Sequence, residues 1–168
     1  EPPELNGLSH LYEHMFFRTN EALVLAQCDR GMPSPRCGDI ISMRRKIGDI
    51  EYMNRFHELG IAYNGSTREE VVNYFVRTTS TFLEESFRYI NDSVRYPVFD
   101  EAEFEREKLV VIGELDRNEA NPFFELNNTF QDKLFYKYPS RKRPGGTRET
   151  VAAATTAQMR LIQARYYV

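Results

Sequence analysis

The 168-residue sequence has no apolar run that approaches the roughly 18 to 20 residues needed to cross a bilayer. It also lacks a basic segment followed by an apolar stretch, which is the pattern of a secretory leader. We therefore expect no membrane span. The formal net charge is only −3, without the basic excess that nucleic-acid-binding proteins carry, so we expect no nucleic acid among the partners. The basic run 141–143 is interpreted as a solvated loop.

Cysteine is scarce, with Cys28 and Cys37 as its only two residues. Two cysteines form no disulfide framework, and their spacing matches no zinc motif. The two could close a disulfide in an oxidising compartment, and we favour free thiols or an incidental loop pair over metal binding. Repeats, low-complexity tracts and linkers are absent as well. With 41% hydrophobic and 28% charged residues, the composition is that of a soluble globular protein, and the length predicts one domain or most of one.

Histidine is also rare, yet two of the three histidines fall in one short stretch, as His10 and His14. Because each helical residue turns by about 100°, these rings and Glu13 point into the same volume. Two neutral imidazoles suit a divalent metal, most commonly zinc, and a carboxylate that does not ligate is placed to take a proton from water at the metal. The order His-x-x-Glu-His is a known metallopeptidase pattern. The alternative is that His10 and His14 are two surface histidines of an ordinary helix. The third histidine, His57, is interpreted as a surface residue.

The remaining patterns predict a mixture of helices and strands. Apolar spacing favours helices, alternation of β-branched and aromatic residues favours strands, and proline- and glycine-rich segments favour loops. Asp100 is a natural N-cap, with Glu103 placed to complete a capping box. Methionine and aromatic residues along the helices are predicted to be core. The predicted helices are 8–20, 51–59, 82–96, 100–120, 122–135 and 150–167 (bent near 155), the strands are 61–66 and 71–79, and the loops are 28–38 and 138–146.

Two glutamates in the helix 100–120 stand out. Glu107 and Glu114 are seven residues apart, so they share nearly the same angle on the helix. That angle lies between Val110 and an apolar stripe that includes Phe104, which is unlike a solvated face. Buried carboxylates are rare unless they are paired or bind a metal. Either glutamate could complete a catalytic zinc site, whereas the alternative is an exposed helix edge.

Ordered segments of the chain resemble the pitrilysin/insulinase family of zinc metallopeptidases, the inverzincins. The similarity begins at the metal-binding helix, continues through an edge strand and the helix of the third ligand, and reaches the last residues. The matching segments are 7–17, 59–67, 97–99, 105–107, 111–115, 137–139, 146–147 and 165–167. The resemblance implies an α+β fold, a mostly antiparallel sheet with helices packed on it, as in the peptidase half of the pitrilysin and mitochondrial processing peptidase type. The terminal strands of that half are missing here.

The resemblance also implies the roles of the candidate site residues. His10, His14 and Glu114 would ligate Zn²⁺, and Glu13 would be the general base. Glu107 would orient a ligand histidine from outside the metal shell.

By the same resemblance, the predicted strand 61–66 would bind the substrate. Asn64 matches a family asparagine that contacts substrate, and Tyr63, Gly65 and Ser66 would hold the peptide by strand addition. Family enzymes also need a second homologous domain or subunit, which the chain does not contain. We therefore interpret residues 1–168 as a single partial catalytic domain, apparently truncated, which on its own can be inactive.

One departure from the family concerns spacing. The interval between His14 and Glu114 is longer than is usual for the family. The excess falls in residues 28–50, which we interpret as an insertion loop.

The sequence therefore predicts a zinc-dependent metalloendopeptidase that hydrolyses peptides or unfolded polypeptides. One alternative is a non-catalytic assembly subunit of the same fold. A less favoured alternative is a metal-dependent lyase of the S-ribosylhomocysteine lyase type, which also has a His-x-x-Glu-His segment but uses cysteines in its metal shell. The compartment stays open between the bacterial periplasm and the cytoplasm.

Overall fold

A computed structural model describes residues 5–48, 60–137 and 143–167. This part of the chain is mixed, with more helix than strand. The α-helices, in chain order, are α1 (Leu8–Phe16), α2 (Glu21–Asp29), α3 (Ile40–Ile47), α4 (Leu83–Arg95), α5 (Glu101–Glu119), α6 (Pro122–Leu134), α7 (Arg148–Ala152) and α8 (Thr156–Tyr166). Two strands, β1 (Ala62–Thr67) and β2 (Val72–Arg77), and two 3₁₀ turns, Pro35–Asp39 and Ser80–Phe82, complete it. No helix of these ranges is both long enough and apolar enough to span a membrane.

Helix α1 lies at the centre of the main core. Its apolar residues recur at intervals of three and four, which places them on one face of a 3.6-residue helix. The fully buried members of this face are Leu8, Leu11, Tyr12, Met15 and Phe16. They pack against apolar residues of α5, α7 and α8, such as Phe104, Val151 and Met159. The core therefore holds α1 by one face, and the face with the two histidines is turned towards α5 and β1.

A second apolar cluster joins α2, α3 and α4. Leu25 on α2, Met43 on α3 and Tyr89 on α4 are buried within it. Cys28 and Cys37 form a disulfide at the end of α2, so of the two predicted alternatives the loop pair is present and the free thiols are not. The two cysteines meet because the chain turns back between them, towards α3. The segment that we predicted as an insertion loop thus contains a 3₁₀ turn and a helix in its described part; whether it is an insertion stays a prediction.

Strands β1 and β2 form an antiparallel hairpin. The register pairs Ala62 with Arg77, Asn64 with Phe75 and Thr67 with Val72. This confirms the predicted antiparallel pairing and a mixed fold. The described residues contain a sheet of two strands, so the larger sheet that the resemblance implies is outside what they show.

Helix α5 begins as predicted at Asp100, whose carboxylate accepts hydrogen bonds from the amides of Ala102 and Glu103. The predicted capping box does not form. The carboxylate of Glu103 instead accepts hydrogen bonds from the amide and the hydroxyl of Thr19, at 3.1 and 2.8 Å. Because Thr19 follows α1, this contact fixes the end of α1 against α5.

The prediction that all aromatic and methionine residues of the helices are core was wrong for α6 and part of α4. The side chains of Phe123 and Phe130 on α6 and of Phe87 on α4 are exposed. Val110 on α5, which we treated as core-facing, is also exposed. Hydrophobic spacing shows that a helix has an apolar face, but it does not show whether another element covers that face.

The other predicted elements agree with the structure to within a few residues. The predicted bend near 155 is a break between α7 and α8, and each of these helices starts at a threonine N-cap, Thr147 and Thr155. Helix α1 is shorter than predicted and ends at Phe16. The predicted helix 51–59, with His57, and part of the loop 138–146 lie outside the described residues.

Candidate metal centre

Three of the predicted site residues converge between α1 and α5. The Nε2 atom of His10 lies 3.5 Å from Oε2 of Glu114, and Nε2 of His14 lies 3.7 Å from the same oxygen. One ligand atom from each of the three residues lies within 4.8 Å of the others. The histidines are neighbours because they are one helical turn apart, whereas Glu114 is brought to them by packing of α5 against α1.

The chemistry of this donor set fits a zinc ion. Two imidazole nitrogens and one carboxylate oxygen, with one position left for water, make up a typical catalytic zinc site. With bonds of about 2.0 to 2.2 Å, tetrahedral ligand atoms lie roughly 3.3 to 3.6 Å apart. The distances from the two histidine nitrogens to Glu114, 3.5 and 3.7 Å, are close to this range. Burial lowers the pKa of His10, and the neighbouring His14 ring lowers it further by a smaller amount. The neutral ring that this favours is the form that binds a metal.

Glu107 lies behind His14 rather than among the ligand atoms. Its Oε2 lies 3.2 Å from Nδ1 of His14, and its Oε1 lies 2.6 Å from the guanidinium of Arg18. The side chain is buried, so Arg18 supplies the charge partner that a buried carboxylate needs. A carboxylate that accepts a hydrogen bond from Nδ1 leaves Nε2 of His14 with a lone pair directed at the triad.

Glu13 is enclosed between α1 and β1. Its Oε2 accepts a hydrogen bond of 2.5 Å from the hydroxyl of Thr67. Burial raises the pKa of Glu13, whereas the Thr67 hydroxyl and the His14 ring act in the opposite direction. The side chain borders the same cavity as His10 and His14 but is absent from the group of converging ligand atoms. This is the arrangement expected for a proton acceptor beside a metal rather than for a ligand.

The cavity at this site has a volume of about 400 Å³ and is bordered by α1, β1 and α5. Tyr63, Asn64 and Gly65 line it; that they bind substrate stays a prediction. Ser66 is not among the lining residues. Asn64 is exposed, and its Oδ1 accepts a hydrogen bond of 2.9 Å from the amide of Gly65. In the described structure, β2 is the strand paired with β1.

The sequence comparison identifies the family. Residues 44–139 match the profile of the insulinase family, peptidase family M16, which is more than half of the chain. The chain belongs to this family. The matched residues include Glu107 and Glu114, whereas His10, Glu13 and His14 precede them.

Two bacterial proteins that align with nearly the whole chain are named as zinc proteases. The chain is 27% identical over 168 residues to the uncharacterized zinc protease YmxG of Bacillus subtilis, covering 99% of the chain and 35% of that protein. It is 23% identical over 155 residues to an uncharacterized zinc protease of Rickettsia felis, covering 92% of the chain and 32% of that protein. The chain therefore spans about a third of the length of these relatives.

A solved structure supports the same fold. The crystal structure of a protease from Helicobacter pylori superposes with a TM-score of 0.74 over 99% of the chain and 35% of that protein, at 19% identity. At this identity, the similarity concerns the fold alone.

Three residues that border the site were not singled out from the sequence: Arg18, Thr67 and Phe17. Strand periodicity would have found Thr67, since it lies two residues after Gly65 and so on the same face of β1. Spacing would also have suggested Phe17, one helical turn after Glu13. The pairing of Arg18 with Glu107 depends on how α1 packs on α5, so no local pattern reveals it.

Proposed function

We propose that the chain is the metal-binding catalytic part of a zinc metalloendopeptidase of the insulinase family. The observation that carries the proposal is the convergence of His10, His14 and Glu114 beside a carboxylate, Glu13, that does not join them. Membership of family M16 and the zinc protease names of the two bacterial relatives support the same general activity.

In this proposal, His10, His14 and Glu114 hold Zn²⁺. When bound, the ion would lower the pKa of a water molecule and polarise the carbonyl group of the scissile bond. Glu13 accepts the proton of the attacking water and returns it to the leaving amine. Glu107 keeps the ring of His14 in the orientation and tautomer that ligation needs, and Arg18 stabilises the charge of Glu107.

The peptide substrate lies along β1 in this proposal. Tyr63, Asn64, Gly65 and Ser66 offer backbone groups to an added strand, and Asn64 offers its side-chain amide to the substrate beside the metal. Since Asn64 Oδ1 holds the amide of Gly65, a peptide that pairs at Gly65 would displace this side chain and release it for that contact. A second homologous domain or subunit completes the binding surface in this proposal. The chain spans only about a third of the length of its relatives, which leaves room in them for such a domain.

The lyase alternative is weakened by the positions of the cysteines. That chemistry needs cysteine thiolates in the metal shell, whereas Cys28 and Cys37 are bonded to each other and do not border the cavity. The assembly-subunit alternative is less favoured, because such subunits typically lose motif residues, whereas His10, His14 and Glu114 converge here and Glu13 and Glu107 are both present.

The proposal is tested first by metal content. The longest native polypeptide that contains this chain should bind one zinc ion, measured by inductively coupled plasma mass spectrometry after dialysis, and should cleave a quenched fluorogenic peptide. Glu114→Gln should lower zinc affinity by at least about tenfold, since a neutral amide is a much weaker ligand than a carboxylate.

Glu105→Gln is the matched control, because Glu105 lies on the same helix with its side chain largely in solvent. Its zinc affinity should equal that of the unmodified protein. Unchanged zinc affinity in Glu114→Gln would remove Glu114 from the ligand set, and a zinc-loaded protein without peptidase activity would contradict the proposed function.

A further inference from the structure

Helix α1 and strand β1 lie side by side, and their side chains recur at similar distances along the two elements. Two residues along a strand advance by about 6.8 Å, and four along a helix by about 6 Å. One face of β1 can therefore lie alongside α1 over neighbouring turns. The ring of Tyr63 stacks on Phe17 at 5.1 Å between centroids, and the next residues on that face, Gly65 and Thr67, both contact Glu13.

Gly65 allows β1 to approach Glu13 closely. A Cβ atom at Gly65 would lie 2.6 Å from Oε1 and 2.7 Å from Cγ of Glu13, closer than side chains tolerate. The absence of a side chain at this position therefore brings the strand against the carboxylate. It also brings Thr67, two residues further along, within hydrogen-bond distance of the same group.

The Thr67 hydroxyl fixes one oxygen of that carboxylate. An ionised carboxylate only accepts hydrogen bonds, so the hydroxyl is the donor to Oε2. Oε1 accepts no hydrogen bond from the described residues and stays available. A glutamate side chain has three rotatable bonds, and without such a contact its carboxylate would move among several rotamers.

We infer that Thr67 is a positioning residue, which holds the Glu13 carboxylate in the orientation that proton transfer requires. The inference rests on the proposed peptidase function and extends it to a residue that touches neither ligand atoms nor the pair of Glu107 and Arg18. A small displacement of a reacting group can lower a rate by up to about a hundredfold. Loss of one of several constraints on Glu13 should therefore reduce the rate by about tenfold.

The test compares Thr67→Val, which removes the hydroxyl while keeping size and β-branching, with Thr67→Ser, which keeps the hydroxyl. In the longest native polypeptide that contains this chain, Thr67→Val should lower kcat for a quenched fluorogenic peptide by about tenfold, with KM and zinc content unchanged. Thr67→Ser should regain most of the lost kcat. Thr78→Val makes the same chemical change after β2, outside the site, and should match the unmodified protein. Thr67→Ala replaces Thr67→Val if the latter does not fold.

A stability measurement tests the contact without reference to activity. The urea midpoint of the zinc-free protein is compared for Thr67→Val, Glu13→Ala, their combination and the unmodified protein. If the two side chains are coupled, the effect of Thr67→Val should fall by at least about half in the Glu13→Ala background.

Three results would overturn the inference: additive midpoint shifts, an unchanged kcat in Thr67→Val, or a loss in that variant that comes from KM or zinc content. A zinc-loaded, unmodified protein that cleaves no peptide is a different outcome. It would refute the proposed function, and with it any catalytic role of Thr67, while the midpoint shifts would still decide whether Thr67 and Glu13 are coupled.

Discussion

At the scale of single residues, the three glutamates of the site differ in the groups that their carboxylates contact. Glu114, Glu107 and Glu13 all lie near the two histidines, but each has different neighbours. Glu114 shares the ligand-atom cluster with His10 and His14. Glu107 bonds to the far nitrogen of His14, and Glu13 bonds to a hydroxyl on β1. In the proposed mechanism, these different neighbours make the three glutamates a ligand, an orienting group and a proton acceptor.

The first residue-scale prediction concerns Glu13. Glu13→Gln keeps the shape of the side chain and an oxygen that can accept from Thr67, but it removes the basic carboxylate. The variant should keep its zinc and lose at least about a hundredfold in peptide turnover, because general bases contribute rate factors of that order. Zinc content and initial rates on the same preparation decide this. Normal turnover would remove Glu13 from the mechanism.

The second residue-scale prediction concerns Gly7, which precedes α1. Its φ of 86° is left-handed, and a Cβ there would lie 2.2 Å from Cα of Gly146. Gly7→Ala should therefore lower the free energy of unfolding by at least about 2 kcal/mol, through backbone strain and a backbone clash.

Gly113→Ala is the matched control for Gly7→Ala. Gly113 lies inside α5, and apart from its own helix no described residue has an atom within 4 Å of the added carbon, so this change should stabilise the chain by up to about 1 kcal/mol. Urea denaturation of both variants tests the contrast. Equal effects of the two substitutions would contradict the close approach of Gly7 and Gly146.

At the scale of elements, the site is a meeting point of three of them. Helix α1 supplies the histidines, α5 supplies Glu107 and Glu114, and β1 supplies the residues around Glu13. The Glu103–Thr19 contact and the Glu107–Arg18 pair both fasten the end of α1 to α5. Glu103 and Glu107, four residues apart on α5, therefore hold Arg18 and Thr19, which come just after the two histidines of α1.

The element-scale prediction concerns the disulfide between α2 and the turn before α3. Replacing Cys28 and Cys37 together by serine should lower the free energy of unfolding by about 2 to 3 kcal/mol, since the bond closes a short loop in the unfolded chain. Zinc content should stay the same, because neither cysteine borders the cavity. Urea denaturation, with and without a reductant, measures the effect. Two reactive thiols in the native protein would contradict the disulfide.

At the scale of the whole molecule, the described surface carries an apolar stripe on α6. Phe123, Leu126, Phe130 and Leu134 recur at intervals of three and four and are all exposed, and Asn128 is the one residue of α6 that is buried. An exposed stripe of this kind is uncommon on a monomeric soluble protein. The chain spans about a third of the length of its bacterial relatives.

The whole-molecule prediction is that the isolated chain self-associates through this stripe. Leu126→Lys combined with Phe130→Lys should lower the sedimentation mass and the binding of a hydrophobic dye while leaving the melting temperature unchanged. Met159→Lys, which places a charge in the core, should instead unfold the chain. A monomeric unmodified chain that binds no dye would contradict the prediction.

The sequence by itself determined the features that depend on neighbours along the chain. The spacing of His10, Glu13 and His14 places them on one side of a helix, and the pattern at Asp100 starts the next long helix, because helical geometry repeats every few residues.

Only the tertiary structure decided which distant groups meet. Glu107 and Glu114 were equal candidates by spacing, and packing of α5 on α1 placed one beside Nδ1 of His14 and the other at the ligand atoms. The same packing diverted Glu103 from its predicted cap to Thr19, brought Thr67 to Glu13, and left the apolar face of α6 exposed. Contacts between residues far apart in sequence depend on the relative placement of whole elements, and local periodicity contains no information about that placement.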